Sequence, residues 1–90
     1  MQSSLIGKIE KAHRYAEQRE RIKFSDFAVS FAGENNTHTT SYREGQWHCS
    51  CSFFVKWGLC SHTMALQKIL VGMLPEEALS PEIAEKLGIA

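Results

Sequence analysis

No stretch of this sequence approaches the ~18 consecutive apolar residues that a membrane-spanning helix requires. The opening Met1-Gln2-Ser3-Ser4-Leu5 also lacks the apolar core of a secretory signal. Both absences predict a soluble, intracellular protein with no membrane partner. Net charge is absent too, since ten Lys/Arg balance ten Asp/Glu. This argues against a strongly electrostatic nucleic-acid binder and confines any anion-binding surface to a local patch. No low-complexity tract, internal repeat or long linker divides the 90 residues, so residues 1–90 are read as a single small domain. There is no glycine-rich phosphate loop and no nucleophile–base signature, which predicts neither enzymatic activity nor a small-molecule substrate. Cysteine is scarce and odd in number. Three of them cannot pair completely within one chain, so a disulfide framework is excluded in favour of a reducing, cytoplasmic or otherwise intracellular setting.

What is present divides into a few short elements. From Ser3 to about Ile22, Leu5, Ile6, Ile9, Ala12, His13 and Ala16 recur at the i, i+3, i+4 spacing of one helical face. Phe27-Ala28-Val29-Ser30-Phe31 alternates with the period of a strand. The Gly33-Glu34-Asn35-Asn36 cluster is a turn, and Thr37 to Arg43 is a second, half-exposed strand. Glu44-Gly45 suits a tight hairpin turn into a third strand from Gln46 to Cys49. A helix from near Ser61 to about Met73 carries His62, Ala65, Leu66, Ile69, Leu70 and Met73 on one face, and Pro75 ends it or begins a new turn. Ser80-Pro81-Glu82 opens a last short helix that Gly88 stops. A chain of this size buries only about 60–65% of its unfolded surface, so its apolar core needs help.

That help is legible in Cys49-x-Cys51, eight residues, and Cys60-x-His62. Thiolate and imidazole donors suit zinc, and four of them close a tetrahedral structural site. Residues i and i+2 of a strand point to the same side, so Cys49 and Cys51 can face one ion. The same spacing inside a helix would point the side chains apart. Cys60 is therefore placed before the helix, with Ser61 near its N-cap and His62 in its first turn. Other readings are buried apolar cysteines, a redox pair at Cys49 and Cys51, and His48 standing in for His62. His13 and His38 read as ordinary surface or boundary histidines.

The pattern Cys-x-Cys…Cys-x-His resembles the SWIM zinc finger. The match covers roughly residues 37–70: a polar strand, Cys49-Ser50-Cys51, Phe54, Gly58, Cys60-Ser61-His62, then Ala65 in an apolar helix. The loop from Cys51 to Cys60 is about one residue shorter than usual in that family. Leu59 stands where a proline is common and Ser61 where a basic residue is common. The resemblance implies a ββα finger with Cys49, Cys51, Cys60 and His62 on one structural Zn2+. The expected fold class is α+β: an N-terminal helix, a small antiparallel β-meander with the zinc-clamped finger, and a short C-terminal helix.

The family resemblance also implies association with nucleic acid. Residues 1–23 hold six Lys/Arg against three Asp/Glu, and Lys8, Lys11, Arg14, Gln18 and Arg21 lie opposite the apolar stripe with Tyr15 beside them. This face can contact phosphates. It reads more readily as a solvated face, because Glu10 and Arg14, and Glu17 and Arg21, are i, i+4 pairs. Trp47, Phe53, Phe54 and Trp57 surround the metal loop, where they can stack on bases or cover the cysteines. The expected partner is nucleic acid or a nucleic-acid-associated protein. The alternative is a protein-interaction adaptor using Met64 and Val71, with self-association as its variant.

Overall fold

The computed structural model describes residues 3–89. Its elements are helix α1 (Ser3–Ala16), strands β1 (Phe27–Ala32), β2 (Thr37–Arg43) and β3 (Gln46–Cys49), and helices α2 (Ser52–Trp57), α3 (Ser61–Ile69) and α4 (Pro81–Leu87). Short 3₁₀ turns occupy Arg19–Arg21 and Glu76–Ala78. This is the expected α+β arrangement, an antiparallel meander in the order β1-β2-β3 flanked by helices. The β2–β3 hairpin turns on Glu44 (φ 51°) and Gly45 (φ 78°). Two successive left-handed residues match the right-handed twist of the strands they join.

Three boundaries differ from expectation. Helix α1 ends at Ala16, not near Ile22, because Glu17 to Arg21 offer no apolar residue to extend its stripe. The chain tightens there through Gln18 N–H to Tyr15 O (2.9 Å) and then forms the Arg19–Arg21 turn. The anticipated Glu17–Arg21 helical pair is lost with that turn. Arg21 Nε instead donates to Gln18 Oε1, and its guanidinium lies 5.1 Å from the centre of the Tyr15 ring. Helix α3 stops at Ile69, not Met73: Gly72 takes φ 84°, and Met73 and Leu74 swing inward and are buried. Between Cys51 and Cys60 lies a helix where only a loop was expected. Helix α2 is short, starts on Cys51 and ends on Gly58, whose left-handed backbone (φ 76°) lets its N–H reach Phe54 O at 2.7 Å.

The apolar core sits on one end of the sheet. Tyr42, Leu74 and Ala78 are buried there, with Phe24, Phe27, Trp47, Leu70 and Leu79 packed around them. Trp47 is edge-on to Phe27 (5.7 Å between ring centres), and its Nε1–H donates to Ala78 O at 2.9 Å, tying the C-terminal segment to β3. Trp47 is thus a core residue and not part of a base-stacking cluster. Phe24 N–H to Met73 O (2.7 Å) fastens the chain entering β1 to the turn leaving α3.

Tyr42 carries a cost inside this core. Its ring is buried, yet its hydroxyl has no hydrogen-bond partner among the described residues. Burial pushes its pKa above the ordinary 10.0, and the carboxylates of Glu77 and Asp26 push the same way. A folded-state value above the unfolded one means that the neutral phenol's contribution is complete below pH 10.0 and is lost as pH rises through the folded value. An unpartnered buried hydroxyl costs about 1–3 kcal/mol. Tyr42→Phe is therefore expected to unfold at the same temperature as wild type or higher at neutral pH. Its melting temperature should also lose part of the fall seen above pH 10.0. A melting temperature lowered by several degrees at neutral pH would show that the hydroxyl is bonded.

Candidate metal centre

The four sequence-predicted ligands converge. Cys49 ends β3, Cys51 is the N-cap of α2, Cys60 is the N-cap of α3 and His62 lies in the first turn of α3. One donor atom from each lies within 4.8 Å of the others. His62 presents Nδ1, at 3.5 Å from Cys49 Sγ and 3.7 Å from Cys60 Sγ. Donors around a tetrahedral zinc with bonds near 2.3 Å are spaced by about 3.8 Å, so the cluster has the dimensions such an ion needs. His48 is exposed on β3 and is not part of it.

Local structure explains how each sulfur is aimed. β3 ends at Cys49, so the two cysteines do not share a regular strand as expected. The extended backbone of Cys51 (φ −72°, ψ 152°) still brings its sulfur to the same side, now as a helix cap that accepts Phe54 N–H at 3.4 Å. Cys60, not Ser61, caps α3. Its N–H donates to Thr63 Oγ1 (3.2 Å), and that hydroxyl donates back to Cys60 O (3.1 Å). Two helices therefore begin at two of the thiols. Phe54 closes over the three buried cysteines.

The thiols are not electrostatically equivalent. Burial raises the Cys49 pKa, but hydrogen bonds to Thr40 and Cys51, and to the Cys60 thiol, outweigh it, and the net shift is downward. Thr40 Oγ1 lies 3.4 Å from Cys49 Sγ and is fully buried. For Cys60, burial outweighs the Thr63 contacts and the net shift is upward.

Several residues around the ligands were not singled out from the sequence. Thr40 faces Cys49 across the β2–β3 pair, a relation visible only once the register is known. Thr63 stands three residues after its cap, a spacing that does signal a capping box. Rings of Phe31 and His38 lie 4.8 and 4.9 Å from the His62 ring, so His38 borders the site and is not an ordinary surface histidine. Gly33, in the turn between β1 and β2, leaves room for His62: a Cβ there would sit 3.2 Å from Nε2 and 3.0 Å from Asn36 O.

The proposed nucleic-acid residues are not gathered on one surface. Lys8, Lys11, Arg14 and Tyr15 are exposed on α1, where Lys11 Nζ and the Arg21 guanidinium flank the Tyr15 ring at 5.8 and 5.1 Å. Trp57 is exposed on α2 beside Lys56 and Phe53. Helix α1 makes more than marginal contact only with the 3₁₀ turn that follows it.

The chain is thus a small α+β domain whose Cys3His cluster can hold one metal ion. No protein-family model, curated protein or solved structure matches it. No helix among the described residues is long and apolar enough to cross a membrane.

Because outer-shell changes at metal sites typically cost about 10–100-fold in affinity, Gly33→Ala is expected to weaken metal binding by about tenfold or more while leaving all four ligands in place. Competition titration against a chromophoric chelator measures this, and unchanged affinity would show that the turn does not position His62.

Proposed function

We propose that the ion is zinc, that it is structural, and that the chain is a SWIM-type finger module that acts by binding, in association with nucleic acid or a nucleic-acid-associated protein. The observation that carries this reading is the convergence of three sulfurs and one imidazole nitrogen from three chain segments. Four protein donors leave no position for water or substrate, and three thiolates damp Lewis acidity. This supports a binding module over an enzyme. Structural zinc supplies about 10–16 kcal/mol of apparent binding energy, against total stabilities of about 5–15 kcal/mol for small domains. Complete chelation is accordingly expected to unfold the segment from β2 through α3, read as loss of circular dichroism that returns on adding Zn2+. A spectrum unchanged after verified metal removal would refute a structural role.

The nucleic-acid part of the proposal draws on Tyr15, half exposed with two cations near its ring, and on the Lys56–Trp57 pair. Aromatic rings beside cations suit stacking on single-stranded bases, with phosphates held by Lys8, Lys11 and Arg14. Fluorescence anisotropy with labelled single- and double-stranded DNA and RNA is expected to show binding at low salt that falls steeply as salt rises. The Lys8→Glu/Lys11→Glu variant is expected to abolish it. Absence of binding at low salt would retire this part and leave the second reading, a protein-interaction adaptor. That reading is favoured by the exposed apolar stripe of α1, where Leu5, Ile6 and Ile9 are 49%, 45% and 41% exposed.

A further inference from the structure

Among the described residues the apolar stripe of α1 has no more than marginal contact with the sheet or the other helices. No residue of that helix is buried. The chain measures 55 × 29 × 25 Å with a radius of gyration of 16.5 Å, against about 12 Å for a compact 90-residue domain. Its accessible surface is 6813 Å², where a compact monomer of this mass exposes about 5,300 Å². The excess, about 1,500 Å² per chain, falls in the range that each partner of an obligate homodimer buries.

Charge identifies the occupant. Helix α1 holds Lys8, Lys11 and Arg14 against Glu10, which leaves seven of the ten basic and nine of the ten acidic residues for the remainder. The arm is therefore net positive and the body net negative, more so once three thiolates hold one divalent ion. Two arms repel each other, while an arm and a body attract. The body offers an apolar seat with acidic neighbours. Ile69 and Val71 are exposed at the end of α3 and line a shallow groove with Gly72, Met73 and the Arg19–Glu20 pair, whose charges cancel, while Glu76, Glu77, Glu82 and Glu85 follow in the chain.

The elbow argues against α1 folding back onto its own seat. Arg21 is bonded to Gln18 and stacked on Tyr15, while Lys23 Nζ donates to Gly72 O. These contacts fix the turn between α1 and the body in a geometry that leaves α1 with no more than marginal contact to the body. A second copy reaches the same seat with that turn intact. One two-fold axis then satisfies both arms and both seats, the closed arrangement that homodimers favour.

We propose that this chain is an arm-exchanged homodimer, in which the Leu5–Ile6–Ile9 face of α1 in each copy packs on the Ile69–Val71 surface of the other. The inference does not depend on the function proposed above.

The test uses the full, zinc-loaded chain, with mass from light scattering coupled to size exclusion, sedimentation equilibrium and zinc content on each sample. Wild type is expected at twice the 10.2 kDa chain mass. Ile6→Asp/Ile9→Asp and, separately, Ile69→Asp/Val71→Asp are each expected to weaken the dimer by at least about tenfold, with one zinc per chain retained. These positions are already exposed, so the monomer should still fold. A wild-type mass of one chain at high concentration overturns the proposal, whether scattering gives a radius near 16.5 Å for a free arm or a smaller one for a folded-back arm. A dimer lost in the arm variant but kept in the seat variant overturns it in favour of arm-to-arm pairing. A dimer untouched by either variant overturns it outright. Zinc content is read independently, so failure here leaves the metal assignment standing.

Discussion

The end of β3 and the start of α2, which follow one another in the chain, meet the start of α3 at one point. Their donor atoms lie within 4.8 Å of one another, close enough to hold one metal ion. The rest of the finger is arranged to serve that point. Two helices begin on ligand cysteines, Thr40 and Thr63 set buried hydroxyls beside two of the sulfurs, and Phe54 excludes water. The centre and the small aromatic core around Tyr42 lie at opposite ends of the same sheet, joined by β2 and β3. The candidate metal centre and the packed core therefore meet the same sheet at its two ends.

How well residues announced their structure depended on whether the cause was local. Ligand spacing, the Glu44-Gly45 turn, the period-2 strand from Phe27 and the Ser80-Pro81…Gly88 punctuation of α4 are all local, and each is where its chemistry places it. Helix α2 was hidden because Phe53, Val55 and Trp57 are exposed and follow no helical burial period. Its stability comes from a cysteine cap and a left-handed glycine. The length of α1 was overestimated because i, i+4 charge pairs mimic helical continuity where no apolar face supports it. His38, Thr40 and Gly33 reached the site through strand register, which no single segment encodes.

The same contrast separates the parts of the functional reading. The metal site is a matter of four donors and their distances. The partner reading is a matter of what α1 covers, and among the described residues its apolar stripe stays exposed. An exposed stripe on an arm whose opposite face is basic can serve two partners at once, one apolar and one anionic. A self-associated finger would then display two basic faces from a single rigid assembly.

The most direct test of the central claim is X-ray absorption at the zinc edge on the protein purified without added metal. A Cys3His centre predicts three sulfurs at about 2.3 Å and one nitrogen at about 2.0–2.1 Å, with no water oxygen. His62→Cys should convert the spectrum to four sulfurs. Absence of zinc, or a shell with oxygen ligands in place of sulfur, would contradict the account.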